Sequence, residues 1–260
     1  MKMRLRSRKT NIPLCLGALL IFACAAAGIA DQKKTAASAG GSVFTQDGGK
    51  LTIKLDGKTV GHEEFEITPS TGGWLAKGAA DIKPSQSPAS KVTGSLSLQP
   101  DGAPISYEWT AQAEKKNGAH ILFTNGIARM TLEMEGARPC TTDDIKDPNR
   151  TQPCFFEQSF SFNTPLIAVL DNNLYYQYAV LARFYDWSKR GPQTFPVLIP
   201  QELMTGSITA ESTGSANLDG ASYQGLRVNT TDLEIDLYLD SNHRMMRLEV
   251  PTAKVSVIRE

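Results

Sequence analysis

The chain has 260 residues, with 27 basic and 27 acidic side chains and four cysteines. That length supports one large domain or two small ones. No basic stripe is present, which excludes nucleic acid and anionic lipid surfaces as the main partner.

The N-terminus is set apart by its charge. Lys2, Arg4, Arg6, Arg8 and Lys9 precede any acid, Ile12 to Ala27 is apolar, and Gly28-Ile29-Ala30 puts small residues at its outer positions. This pattern predicts a signal peptide over residues 1–30, cut between Ala30 and Asp31. Two alternatives stay open. Ile21-Phe22-Ala23-Cys24 loosely matches a lipidation site with Cys24 as the anchored residue, although Phe22 fits it poorly. An uncleaved anchor helix is the other, over a run barely long enough to span. All three export the remainder to the periplasm or beyond, and no transmembrane segment is expected in the mature chain. Without the leader, 22 basic residues face 27 acidic ones, a net charge of −5.

Asp31 to Gly49 is polar, small and aperiodic, and is expected to be a disordered tether. From Lys50 to Glu260 a single β-rich domain is predicted. Leu51, Ile53 and Leu55 alternate, Asp56-Gly57 makes a turn, and Phe65 and Ile67 resume the apolar face. A bulge is expected at Gly61, where the parity shifts. Val92, Leu96 and Leu98 share one face, as do Ile105, Tyr107 and Trp109. In HILFTNGIARMTLEM the Asn125-Gly126 turn predicts Thr124 opposite Ile127, Phe123 opposite Ala128 and Ile121 opposite Met130, with Leu132 and Met134 continuing that face. Phe156, Phe160 and Phe162 line a further strand. Near the C-terminus, Leu233, Ile235, Leu237 and Leu239 are expected to share a face with Met246, Leu248 and Val250 across a Ser241-Asn242 tip.

Cys140 and Cys154 remain after the leader, and two cysteines in an exported chain most simply pair. Closing that loop stabilises by roughly 3 kcal/mol in the chain-entropy model.

One segment departs from the strand pattern. Thr164-Pro165 reads as a helix start, and Leu166 to Leu170 as one or two turns. Leu174, Tyr178, Leu181 and Tyr185 then follow helical spacing to a stop at Gly191-Pro192. Tyr175, Val180, Phe184 and Trp187 add apolar surface to the other face, so the helix is expected to be buried on more than one side. The expected fold is therefore mainly β: about eleven antiparallel strands in a curved sheet or incomplete β-barrel, wrapped around one main α-helix.

The segments DGKTVGHEEFEI, LDNN, PVLIPQ and YLDSNHRMMRLEVPTAKVSVIRE together resemble uncharacterised bacterial envelope proteins, exported domains of unknown function. These are similar in architecture to periplasmic lipoprotein carriers of the LolA type. The resemblance spans Leu51 to Glu260. It implies a half-barrel around helical segments, of a shape that can hold acyl chains or other apolar ligands. It brings no catalytic residue, and the arginine that grips the lid in the carriers has no assignable counterpart.

No nucleophile elbow, phosphate loop, zinc helix or calcium loop is present. No catalytic residue, metal site or cofactor is expected. His62, His120 and His243 fall in separate strands or turns. His62 lies beside Glu63 and Glu64, which point to opposite faces, so a surface histidine is expected there. Asp171, Asn172 and Asn173 form a polar cluster that either caps the helix or binds a head group. With Tyr175, Tyr178, Leu181 and Tyr185 they make up the candidate ligand site. The expected function is an exported, non-enzymatic periplasmic protein holding an apolar or lipid-like small molecule in a half-barrel cavity. The alternatives are an envelope scaffold or assembly factor working through protein contacts, and a hydrolase with an unidentified site.

Overall fold

The computed structural model describes residues 42–83, 88–113, 115–141, 143–144, 154–155, 157–189 and 191–260. The expected leader with Cys24, residues 31–41 of the expected tether, most of the loop between the cysteines, and Phe156 lie outside the described residues.

The N-terminal half is a meander of β1 (Asp47–Leu55), β2 (Lys58–Ser70), β3 (Gly73–Ile82), β4 (Ser90–Leu98), β5 (Pro104–Gln112), β6 (Lys116–Thr124) and β7 (Ile127–Met134). A small pair follows, β8 (Arg138–Pro139) with β9 (Cys154–Phe155), then β10 (Gln158–Ser161) and β11 (Ala168–Val169). Helix α1 (Tyr176–Phe184) leads into β12 (Gln193–Ile199), β13 (Met204–Leu218), β14 (Ala221–Asn229), β15 (Glu234–Leu239), β16 (Met245–Val250) and β17 (Val255–Arg259).

Fifteen of these strands form one curved, unclosed sheet in the order β10-β7-β6-β5-β4-β3-β2-β1-β17-β16-β15-β14-β13-β12-β11. The first and last strands pair at its centre, from Leu51 opposite Arg259 to Leu55 opposite Val255. Both edges therefore come from the middle of the chain, at β10 and β11. The count is fifteen rather than about eleven. The strands that hydropathy undercounts are those whose inward residues are small, such as β3 with Ala76 and Ala80, and the short edges. Twelve of the fourteen neighbouring pairs join strands consecutive in sequence; eleven of these are antiparallel, but β11 and β12 run parallel, and a parallel neighbour needs a crossover, which α1 supplies.

The turns set the register where they were expected to. Thr124 faces Ile127, Phe123 faces Ala128 and Ile121 faces Met130. Asp56-Gly57 joins β1 to β2, and the irregularity falls at Val60, beside Gly61. Bulges also correct two expectations. One between Ser97 and Leu98 turns Ile105 outward, leaving it exposed while Tyr107 and Trp109 stay buried. Another between Tyr238 and Leu239 puts Met245, not Met246, in the core with Leu248 and Val250. An extra residue reverses strand parity, and composition does not mark where it sits. Met134 is exposed at the frayed end of β7.

The fold includes residues on the N-terminal side of Lys50. Phe44 is buried, its ring 5.8 Å from Trp74 and 6.2 Å from Phe184, so the last residues counted in the tether belong to the fold. Cys140 and Cys154 form a disulfide with a Cα separation of 5.0 Å.

The helix is shorter than its apolar spacing suggested. It spans Tyr176–Phe184, and Ala168 and Val169, expected to be helical, are extended against β12. Asn173 lies at φ +65°, which breaks any continuous helix from Leu170. A nine-residue helix is marginal alone in water, so packing must hold it. Tyr176 to Val180, Leu181, Ala182 and Phe184 are all buried on the concave side of the sheet. Among the described residues no helix is long and apolar enough to cross a membrane.

Two paired glycines make room for it. Gly78 on β3 faces Gly94 on β4. A Cβ on Gly78 would strike the Tyr176 ring and lie 2.6 Å from Glu63 Oε1; one on Gly94 would lie 2.8 Å from Leu174 Cδ1 and from the Tyr176 hydroxyl. Gly78→Ala is therefore expected to lower stability by about 1–3 kcal/mol, the usual penalty of overpacking a filled core. Urea denaturation checks this, with Gly57→Ala as a contrast whose loss would come from its left-handed backbone and not from a clash.

Candidate functional site

The two ends of α1 differ in character. At its N-terminus, Glu63 points inward from β2, in phase with buried Phe65 and Ile67, and is itself fully buried. Its Oε2 accepts the Tyr175 amide at 2.8 Å, and its Oε1 the Tyr176 amide at 3.2 Å. A carboxylate there satisfies orphan amides and matches the positive pole of the helix. Burial nevertheless pushes the Glu63 carboxyl up to about 8, opposed by those two amides. The capping task that the sequence offered to Asp171, Asn172 or Asn173 thus falls to a residue more than a hundred positions away. One signal pointed to it: Glu63 keeps the inward parity of Phe65 and Ile67.

Asp171 is also buried, but it works elsewhere. Tyr107 donates its hydroxyl to Asp171 Oδ2 at 2.7 Å, and the Gln201 amide donates to Oδ1 at 2.8 Å. Gln177 completes the cluster, accepting the Asp171 amide and donating from Nε2 to the Tyr107 hydroxyl at 2.9 Å. Burial raises the Asp171 carboxyl to about 7, opposed by the Gln201 amide and the Tyr107 hydroxyl. Burial, with Asp171 beside it, raises the Tyr107 hydroxyl as well. This network ties β5, the approach to α1 and the turn after β12 into one unit.

The predicted ligand residues divide between places. Asp171, Asn172, Asn173, Tyr175 and Tyr178 line one pocket against Leu233, Ile235 and Val255, but its volume is only about 60 Å³. Asn172 donates to Glu202 Oε1 at 2.6 Å. Leu181 is 1% exposed and sits in the core. Tyr185 lies at the opposite end of α1, where its hydroxyl donates to the Gly191 carbonyl at 3.0 Å and accepts the Ser212 amide at 3.2 Å.

That second end is open. A cavity of about 680 Å³ lies where α1 stops, walled by Leu166, Phe184, Tyr185, Trp187 and Phe195, with Val43 and Asp101 at its margin. Arg183 lines it, and Trp187 stacks on His243 with ring centroids 4.2 Å apart. Helical spacing places Phe184 and Trp187 together, but nothing in the sequence puts Phe195, Val43 or His243 beside them. These come from β12, the entry to β1 and the β15–β16 turn, which only the curled sheet brings together. A third concavity, about 510 Å³, lies on the sheet across β2 to β5 beside Glu64, Glu66 and Glu108. Among the described residues no group of three or more His, Cys, Asp or Glu is placed to hold a metal ion.

No family model and no curated protein matches the chain. Solved structures similar to it include two domains of unknown function. A β-barrel-like protein of domain of unknown function DUF1849 from Brucella abortus aligns over 82% of this chain and 93% of its own, at 9% identity and a TM-score of 0.49. A DUF1089 family protein from Pseudomonas aeruginosa aligns over 86% of this chain and 98% of its own, at 9% identity and a TM-score of 0.44.

Glu63 and Asp171 make stability depend on pH. Both hold a proton in the folded protein at pH values where the unfolded chain has released it. Their contribution is fully present below their unfolded values near 4 and is lost as pH rises through about 7 for Asp171 and about 8 for Glu63. The midpoint of thermal unfolding is expected to fall between pH 5 and 8. Glu63→Gln should flatten the upper part of that decline, and Asp171→Asn the lower part.

Proposed function

We propose that this chain is an exported, non-enzymatic binding protein that holds an apolar, lipid-like molecule at the end of the half-barrel where α1 stops. The observation that carries this is the cavity of about 680 Å³ with its wall of Phe184, Phe195, Trp187 and Leu166. Sites for small molecules are concave, mostly apolar, roughly 300–1,000 Å³ in volume, and carry a few polar groups. The pocket beside Asp171, at about 60 Å³, is far below that range. The ligand is therefore placed at the other end from the polar cluster singled out in the sequence. Export rests on the basic and apolar leader and accords with the Cys140–Cys154 disulfide.

A second reading has its own observation. Ile105, Leu122 and Ile127 are exposed on neighbouring strands β5, β6 and β7, near the edge strand β10. Clustered exposed apolar residues mark protein contacts, which suits an envelope scaffold. A cross-link from position 122 in intact cells, lost in Ile105→Glu/Ile127→Glu, would favour it.

For the first reading, the mature protein is titrated with the neutral apolar fluorophore N-phenyl-1-naphthylamine. Saturable one-to-one binding is expected. Val43→Trp fills the cavity margin from an exposed position and should weaken binding at least fivefold without moving the unfolding midpoint. Leu233→Trp, at the small pocket, should leave binding unchanged. A wild-type protein that does not bind the probe would end this reading.

A further inference from the structure

The rings that wall the cavity at the end of α1 offer little surface to a ligand as the chain stands. Phe184 is 9% exposed, Phe195 6% and Tyr185 3%. An apolar molecule that packs against them must first uncover them. Two segments close on Phe184, and they differ in how firmly they are held. The turn after β4 is braced. Its Gly102, at φ +94°, lets the backbone approach the ring, where a Cβ would lie 2.8 Å from Phe184 Cε1. The Gln99 amide donates to the Ala103 carbonyl at 2.8 Å, the Gly102 amide to the Gln99 carbonyl at 3.0 Å, and the Ala103 amide to Asp101 Oδ1 at 3.0 Å.

The other segment, residues 42–46, is lightly tied. It belongs to no ladder, since β1 begins at Asp47, opposite Ile67. Ser42, Val43, Thr45 and Gln46 are exposed, and Phe44 alone is buried, its ring edge-on to Phe184 at 6.2 Å. Among the described residues one hydrogen bond joins this segment to the rest of the fold, from the Val43 amide to the Pro100 carbonyl at 3.1 Å. Val43 and Asp101, the neighbour of Pro100, both line the cavity, so this bond is made at its margin. The next residue, Asp47, is fixed: Arg259 Nη2 donates to its Oδ1 at 2.6 Å, and Arg183 pairs with its Oδ2 at 3.8 Å. A segment with one buried side chain and one anchoring bond lies at the low end of local stability, whereas its root at Asp47 does not.

We propose that residues 42–46 are a strap that closes the cavity from its margin, with Phe44 as an internal competitor of the ligand. The strap lifts about Asp47, and the ligand's apolar part takes the face of Phe184 that Phe44 leaves. This rests on the proposed apolar site and adds its control. Phe44 is driven into its seat by the same burial of apolar surface that drives a ligand there. The apparent affinity is therefore the intrinsic affinity scaled by the fraction of molecules whose strap is open. An empty cavity keeps its rings covered, and a bound ligand holds the strap away.

The test follows N-phenyl-1-naphthylamine binding by stopped-flow fluorescence, and the strap itself by amide hydrogen exchange. In the unaltered protein the association rate is expected to level off as probe concentration rises, because strap opening becomes limiting. Phe44→Ala should remove that plateau and tighten binding roughly fivefold, since the closed population is lost. Its unfolding midpoint is measured alongside, because Phe44 is a core ring. Probe binding should also speed exchange of the Val43 amide, which loses the Pro100 carbonyl. That readout needs no variant and decides the matter if Phe44→Ala does not fold. Equal or weaker binding by a folded Phe44→Ala would make Phe44 an ordinary part of the wall and overturn the strap. A Val43 amide whose exchange the probe slows or leaves unchanged would overturn it too. Failure of both proteins to bind the probe would remove the apolar site itself.

Discussion

Glu63 and its bonds to the Tyr175 and Tyr176 amides form the contact on which the rest of the structure depends. A sheet of fifteen strands that curls without closing has a concave apolar face that must be covered. A nine-residue helix covers it, and such a helix does not persist without tertiary contacts. Glu63 anchors its first turn to β2 across more than a hundred residues of sequence. Gly78 and Gly94 then let the Tyr176 ring approach the strand backbone. The arrangement buries a carboxyl with no cation beside it, and desolvation raises its pKa so that a proton resolves the unpaired charge.

From that anchor follows the asymmetry between the two ends. At the N-terminal end of α1, Tyr107, Asp171, Gln177 and Gln201 satisfy one another, and little space is left. A connected network of this kind specifies one packing of the elements it joins. At the C-terminal end the helix stops short. Phe184 and Trp187 meet Phe195, and Tyr185 reaches back to β13 through the Ser212 amide. The helix covers the curved sheet along most of its length, and of the two hollows at its ends the larger lies where it stops.

The seam of the sheet lies close to that hollow. β1 and β17 pair at the centre, and Arg259 on the last strand reaches Asp47 on the first while its guanidinium stacks 5.3 Å over the Phe65 ring. Arg183 approaches the same aspartate from the helix. The first and last strands, the helix and the β15–β16 turn therefore converge on one buried cluster of charge beside the cavity. Removing one member of a buried charge cluster is typically more costly than exchanging exposed charges, and Arg183 belongs both to this cluster and to the wall of the cavity.

Much of this fold was legible in one dimension. The Asn125-Gly126 turn and the alternation around it determined a register that the strands adopt, because a two-residue turn and a single buried face leave one pairing free of conflict. Cys140 and Cys154, the two cysteines beyond residue 30, form the bridge expected of them, and the helix could be placed between two runs of strands from its spacing alone. What only the tertiary structure decided were features with no local cause. Bulges turned Ile105 outward and exchanged Met246 for Met245, since a single unpaired residue reverses parity without altering composition. The helix shortened because Ala168 and Val169 found a sheet edge that sequence spacing does not reveal. Glu63 became the helix cap and Asp171 did not, because a buried carboxyl is placed by whichever amides the curled sheet brings to it. The cavity formed at Arg183, Trp187 and Phe195 for the same reason: its walls are distant in sequence, and only the curvature of the sheet makes them neighbours.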